Sequence, residues 1–387
     1  MTGAEGRYRL LPMQPRDPLE QGRAASTLEL FFDLVFVVAV SIASVELHHA
    51  LSEGHIGQGV LNYAIVFFGI WWAWMNFTWF ATSFDTDDWY YRLLTILQMG
   101  GVLVFASGIP TVFDRHHFTM LIIGYVVMRL AMVAQWLRAA RSGGAARRAA
   151  TTYAGGITLV QVLWLVTLLL PAPAFGIAQI ILIGAELAVP IAAERLGRTP
   201  WHPRHITERY GLFTLILLGE SLLGSANAII EALDQTDDLG PLTALAALTL
   251  ITTAALWWIY FWPPHHRAIR TFTSSLAYGY GHFFIFAAAG AFSAGIEIEI
   301  EVLTGHTTLG APLASFAYTI PIAMFIIGVW ALAIRPHGDT WVNTTIPVVG
   351  VLVLIDPLIP VPFALTAVIL SAAVVVLVWR KPALPPS

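Results

Sequence analysis

Long apolar stretches separated by short polar loops run the length of the chain, and no segment alternates apolar and polar residues with the period of two that a barrel strand needs. Crossing the hydrocarbon core of a bilayer takes roughly 20 mostly apolar residues in a helix. Runs of that kind fall at 27–49, 60–81, 92–112, 117–137, 149–170, 174–193, 206–231, 240–262, 272–297, 309–334, 340–355 and 360–379. The eleventh is short and stops at Asp356-Pro357. The pattern predicts an all-α, polytopic integral membrane protein with about twelve transmembrane helices.

The charges in the loops agree with that count. Arg7, Arg9, Arg16 and Arg23 precede the first run, and Arg92 follows the second. Arg138, Arg141, Arg147 and Arg148 follow the fourth; Arg195, Arg198, Arg204 and Arg209 follow the sixth. Arg267 and Arg270 follow the eighth, Arg335 the tenth, and Arg380 with Lys381 the last. Of the 20 basic residues only Arg115 falls on the opposite side and Arg129 within a run, so the remaining 18 share one side. One missed helix would invert every later loop. The positive-inside rule then places both termini in the cytoplasm. The first 26 residues hold no apolar run, so the first span reads as an uncleaved signal-anchor.

Composition narrows the classes further. Hydrophobic residues make up 57% of the 387 and charged residues only 11%, against about a quarter charged in soluble domains. The net charge of −4 excludes a basic nucleic-acid binder. The absence of cysteine excludes disulfides, iron–sulfur clusters and thiolate zinc sites. No cofactor or metal centre is expected. The bilayer is the expected partner, a small ion the expected substrate, and a homo-oligomer is compatible with the sequence.

A weak repeat divides the chain. Thr27-Leu28-Glu29 and Thr207-Glu208-Arg209 each open a span, and Trp71-Trp72-Ala73-Trp74 and Trp257-Trp258-Ile259-Tyr260 follow at similar distances. This spacing predicts two six-helix halves, 27–201 and 202–381, related as a parallel repeat, with a cytoplasmic tail at 1–26 and a short tail at 382–387.

The candidate chemistry lies in charges that membrane helices ordinarily exclude. Each carboxylate or guanidinium at mid-bilayer costs ~2.5–3.5 kcal/mol, and Asp33, Arg129, Glu186, Glu220 and His282 all fall inside runs. Glu29 and Asp33, four apart, share one helical face, as proton acceptors or cation ligands. The alternative for Glu29 is complementing the helix dipole in a first turn. Arg209, Glu220 and Asn227 line one stripe, and Glu220 comes near the midplane. A salt bridge from Glu220 to Arg129 is the structural alternative. Pro190 lies one turn beyond Glu186 and frees a carbonyl there. His282 is the one mid-span group that titrates near neutrality when unperturbed, and so a candidate relay; Gln98 is its counterpart in the first half. Asp85, Asp87 and Asp88, and the group His48, His49, His55, Glu46 and Glu53, are weaker candidates with no defined ligand spacing.

Arg23…Thr27-Leu28-Glu29-Leu30-Phe31-Phe32-Asp33-Leu34-Val35-Phe36-Val37, His205…Glu208-Arg209-Tyr210-Gly211-Leu212…Leu218-Gly219-Glu220-Ser221 and Phe84-Asp85-Thr86-Asp87 resemble blocks of the bacterial low-temperature-requirement A family. Tyr125 with Arg129, Glu186 with Pro190 and Tyr280 with His282 fit the same pattern, from about residue 23 to about 380. Where family members often carry a proline just after the histidine, this chain has Phe283-Phe284. The resemblance implies an inner-membrane protein linked by name to growth in the cold, and no settled activity. The first helix is also similar to the Arg…Phe-Ser-Asp helix of the endolysosomal potassium-channel family. The residues favour a transporter or channel for a small ion, proton-linked through Glu29, Asp33, Glu186, Glu220 and His282, with Arg129 and Arg209 as charge partners. The alternatives are a structural or accessory protein whose charges only bind helices together, or a lipid-acting membrane enzyme. No catalytic constellation is expected.

Overall fold

The computed structural model describes residues 10–144, 146–233, 239–307, 309–359 and 362–382. Arg7, Arg9 and nearly all of the predicted C-terminal tail lie outside them. The described residues form helices and loops: α1 Thr27–Ser52, α2 Ile56–Phe84, α3 Trp89–Ser107, α4 Ile109–Arg115, α5 Thr119–Arg141, α6 Arg147–Thr167, α7 Ala172–Leu196, α8 Pro203–Leu233, α9 Leu239–Phe261, α10 Phe272–Thr304, α11 Ala311–Val329, α12 Thr340–Ile355 and α13 Pro362–Trp379. Every predicted run is therefore helical. The third run is split at Gly108, where a Cβ would sit 2.5 Å from the Leu121 nitrogen, and α4 restarts with Pro110 in its first turn.

Among the described residues ten helical segments are long and apolar enough to cross a membrane, and Phe363–Trp379 is a shorter apolar helix. Large apolar side chains such as Leu159, Ile180 and Val368 are exposed. A water-soluble fold would not tolerate so many, whereas lipid tails solvate them. This is a multi-pass membrane protein.

The chain groups into two compact units, Met1–Ala39 with Gly69–Arg209, and Val40–Phe68 with Tyr210–Ser387. In the first, α3 packs on α5, α5 on α6 and α6 on α7. Gly124 sets the closeness of α3 and α5, since a Cβ there would collide with the Phe105 backbone nitrogen. Small residues of this kind let membrane helices associate where no hydrophobic force acts between them. The segment ahead of α1 is bound to this unit: Arg23 donates to the carbonyls of Ala81 and Thr82 in the last turn of α2, where a helix presents unpaired acceptors. In the second unit α10 packs on α11, α11 on α12, and α13 on α9 and α12. Gly295 holds α10 against the backbone of α11, with Ala317 O 2.5 Å from where its Cβ would be.

Candidate functional site

Helix α1 begins with a capping box. The Ser26 backbone N–H and hydroxyl donate to Glu29 Oε2 at 2.8 and 2.9 Å, and Ser26 Oγ accepts from the Glu29 N–H at 3.3 Å. That leaves Glu29 Oε1 to accept from Arg209 Nη1 at 2.8 Å. One turn along, Asp33 receives Arg209 Nε at 3.0 Å, Arg209 Nη2, and the indole N–H of Trp74 at 2.7 Å. His205 Nε2 lies 3.4 Å from Glu29 Oε1. Glu29, Asp33, Arg209 and His205 are all buried. The two carboxylates thus do not face one another across open space; one guanidinium serves both.

A second buried cluster centres on Glu186. Its Oε2 accepts from Arg129 Nη2 at 3.0 Å and from Trp72 Nε1 at 2.9 Å, and its Oε1 from Gln161 Nε2 at 2.7 Å. The guanidinium also lies 5.8 Å from the Tyr125 ring centroid. Arg129 is therefore the partner of Glu186, and the alternative that paired it with Glu220 is set aside. Glu186 is satisfied by side chains from three other helices, so Pro190 is not needed to explain its place.

His282, on α10, is also saturated. Nδ1 is 2.7 Å from the Tyr278 carbonyl, which requires an N–H there, and Nε2 is 3.1 Å from the Tyr260 hydroxyl. The ring is packed against Tyr210 and Phe286. Gln98, its suggested counterpart, is buried on α3.

Glu220 has different surroundings. Together with His48 and His49 of α1, Gly224 and Asn227 of α8, Glu297 and Glu301 of α10, and His306, it lines a partly open cavity of about 470 Å³ within the second unit. His48 Nδ1 is 3.2 Å from Glu297 Oε2 and its Nε2 is 3.0 Å from Glu301 Oε1. Ser52 Oγ donates to Glu301 Oε2 at 2.5 Å. Glu220 is half-buried and has no hydrogen-bond or ion-pair partner among the described residues. No three His, Asp or Glu side chains among them are arranged to hold a metal ion directly.

The acidic loop after α2 is fully engaged. Asp85 pairs with Arg16 at 3.1 Å and Asp87 with Arg92 at 2.7 Å. Asp88 caps α3 through the Tyr91 N–H and receives Arg138 and the Leu11 N–H. Burial pushes the Asp85 carboxyl up to about 6. Burial acts the same way on Asp88, but Arg138 and the two backbone donors hold it below its ordinary value.

The structure thus joins Glu29, Asp33 and Arg209 in one cluster and Arg129 with Glu186 in another, both within the first unit, while Glu220 and His282 belong to the second. Reading the sequence for candidates passed over Gln161, Glu297 and Glu301, and named Trp72, Trp74 and His205 within motifs without placing them beside the acids. For Glu297 and Glu301 there was a signal, two carboxylates four apart near the end of an apolar helix.

Comparison with known proteins adds a family. The family model described as bacterial low temperature requirement A protein (LtrA) matches residues 24–379. A protein of Rhizobium meliloti (strain 1021), itself described as uncharacterized, is 28% identical over 254 residues, which is 63% of this chain. The match spans 60% of that relative's length.

Proposed function

The chain belongs to the bacterial low temperature requirement A family, and on that footing we propose that it carries a small cation across the bacterial cytoplasmic membrane, linked to protons. The cavity is the observation that carries this reading. Unpaired carboxylates are costly among apolar helices, and Glu220 faces open space with Glu297 and Glu301 beside it. A wet, acidic recess lowers that cost and raises the local concentration of cations. With both termini placed in the cytoplasm on the strength of the basic loops, this reading has the cavity face the outside. In this reading Glu29 and Asp33, which share Arg209, and Glu186, paired with Arg129, hold helices, and Glu220 meets the ion.

The test is flux from proteoliposomes holding the purified protein. An internal pH dye reports the response to imposed proton, potassium and sodium gradients, with Glu220→Gln and Asp33→Asn alongside. Flux in the wild type that Glu220→Gln abolishes while remaining folded is the expected result. Normal flux in Glu220→Gln would remove Glu220 from the pathway. The second reading, an accessory protein whose charges only bind helices, is favoured by the completeness of the two buried clusters. It predicts no flux under any gradient.

A further inference from the structure

Five arginines of the first unit, Arg141, Arg147, Arg148, Arg195 and Arg198, are exposed, and their side chains make no hydrogen bond or ion pair among the described residues. Arg138, one turn before Arg141, shows the contrast, since it donates to Asp88 and to the Leu11 carbonyl. Helices α5, α6 and α7 hold just two acids, Glu186 and Glu194. Arg129 takes the first, and the second accepts from Tyr153 and Thr199. The five positive charges therefore have no carboxylate of their own helices to meet.

The three helix ends are tied together one turn further in. Trp136 of α5 stacks on Tyr153 of α6, with ring centroids 4.1 Å apart and planes 6° from parallel. The Tyr153 hydroxyl donates to Glu194 of α7 at 3.2 Å. Thr199 donates to the same carboxylate through its N–H at 3.1 Å and its hydroxyl at 2.7 Å, which folds the loop carrying Arg198 back onto α7. Arg147 and Arg148 open α6 at its positive pole, where no side chain caps the helix. Basic residues there oppose the helix dipole, so helix stability does not explain them.

What lies beside them has an order of its own. Arg148, Thr151, Gly155, Leu159 and Val162 follow one another at three or four residues down α6, and all are exposed. Nothing lies within 4 Å of where a Gly155 Cβ would be. Charge, hydroxyl, open notch and aliphatic side chains succeed one another as phosphate, glycerol ester and acyl chain do in a phospholipid. Helices α5, α6 and α7 are each long and apolar enough to cross a membrane, so their ends lie at headgroup depth.

We propose that this end of α5, α6 and α7 is a binding surface for anionic phospholipid, with the arginines receiving the phosphates and the outer face of α6 an acyl chain. A guanidinium fork matches phosphate oxygens two at a time, and clusters of four to eight basic residues beside membrane helices attract anionic lipid. The positive-inside rule accounts for the side on which such residues lie; their lack of protein partners and the order of residues down α6 say what they meet. The surface belongs to the first unit and does not depend on which ion the cavity of the second unit takes.

The experiment uses the full chain in a neutral detergent, titrated separately with phosphatidylglycerol, phosphatidylcholine and inorganic phosphate. Bound lipid is counted by native mass spectrometry, and stabilisation is read by thermal shift. Phosphatidylglycerol should bind saturably and far more tightly than phosphatidylcholine. Each basic residue near an anionic surface is worth a factor of about five, so Arg147→Gln/Arg148→Gln/Arg195→Gln/Arg198→Gln should weaken that binding at least ~100-fold. Arg115→Gln, exposed at the opposite end of α5, should leave it unchanged. Should the quadruple variant fail to fold, the pairs Arg147→Gln/Arg148→Gln and Arg195→Gln/Arg198→Gln are read separately, each with an expected loss of ~25-fold. Equal affinity for the two lipids, or undiminished binding in the variants, overturns the proposal. Stabilisation by inorganic phosphate equal to that by phosphatidylglycerol also overturns it, because the site would then take a soluble anion.

Discussion

Replacing Arg209 by methionine is the sharpest perturbation of the buried cluster beside α1. Methionine keeps much of the volume and removes three charge-assisted hydrogen bonds to two carboxylates. Removing one partner of a buried ion pair costs about 3–5 kcal/mol, because the charge left behind has lost both water and its counter-ion. Two carboxylates are stranded here, but one can relieve its share by taking a proton, so we retain ~3–5 kcal/mol as the expected cost. At about 2 °C per kcal/mol, Arg209→Met lowers the melting temperature by roughly 6–10 °C. The companion is the charge-free triple variant Glu29→Gln/Asp33→Asn/Arg209→Met, in which no charge remains to be stranded. Uncharged replacements of a buried cluster are often close to neutral, and the side-chain amide oxygen that replaces the Glu29 carboxylate can still accept from Ser26. The triple variant should recover more than half of the loss. Unfolding is followed in detergent by intrinsic fluorescence, for which the 14 tryptophans give ample signal. A melting temperature for Arg209→Met within about 2 °C of wild type, the shift of a single kcal/mol, or a triple variant no better than the single, would refute the claim that pairing in a dry environment holds these residues.

Arg129→Gln and Glu186→Gln should each destabilise by ~2–4 kcal/mol, and the double variant by less than the sum, since each single strands the other's charge; additive losses in thermal unfolding would show that the two do not act as a pair. Gly124→Ala should cost at least ~2 kcal/mol, because its Cβ would collide with backbone rather than with a mobile side chain. Gly100→Ala, with nothing within 4 Å, is the control and should unfold as the wild type does. Asp85 has a folded-state value raised to about 6, so its contribution is fully present below its unfolded value of about 4 and is lost as pH rises through 6. Asp85→Asn should accordingly melt above wild type at pH 7.5, with the gap narrowing through pH 5 and closing only below about pH 4; a gap that widens on acidification would reverse the sign.

Much of this fold is legible without coordinates because a bilayer imposes a coarse rule. Each helix must be long and apolar, and each basic loop must remain on one side, so the run boundaries fall within a few residues of the observed helices. The charged positions were legible as anomalies for the same reason. Their partners were not. Glu29 and Asp33 lie more than 170 residues from Arg209, and nothing in spacing distinguishes an arginine that lies between two acids from one that points into a loop. Arg129 shows the same limit: the sequence offered Glu220 as its partner, and only packing selects Glu186, through Trp72 and Gln161, which complete the carboxylate's shell. His48 was visible among the histidines that close the first run, but its meeting with Glu297 and Glu301 depends on how α1 crosses α10.

The contrast between acids held by an arginine and acids lining the cavity is what separates support from function in the proposed reading. Glu29, Asp33 and Glu186 each have an arginine in direct contact and indole, amide or backbone donors besides. An acid so enclosed resists ion binding, because any newcomer must first displace a guanidinium from a dry site. Glu220, Glu297 and Glu301 instead line a partly open cavity, and the ring nitrogens of His48 come within 3.2 Å of the last two.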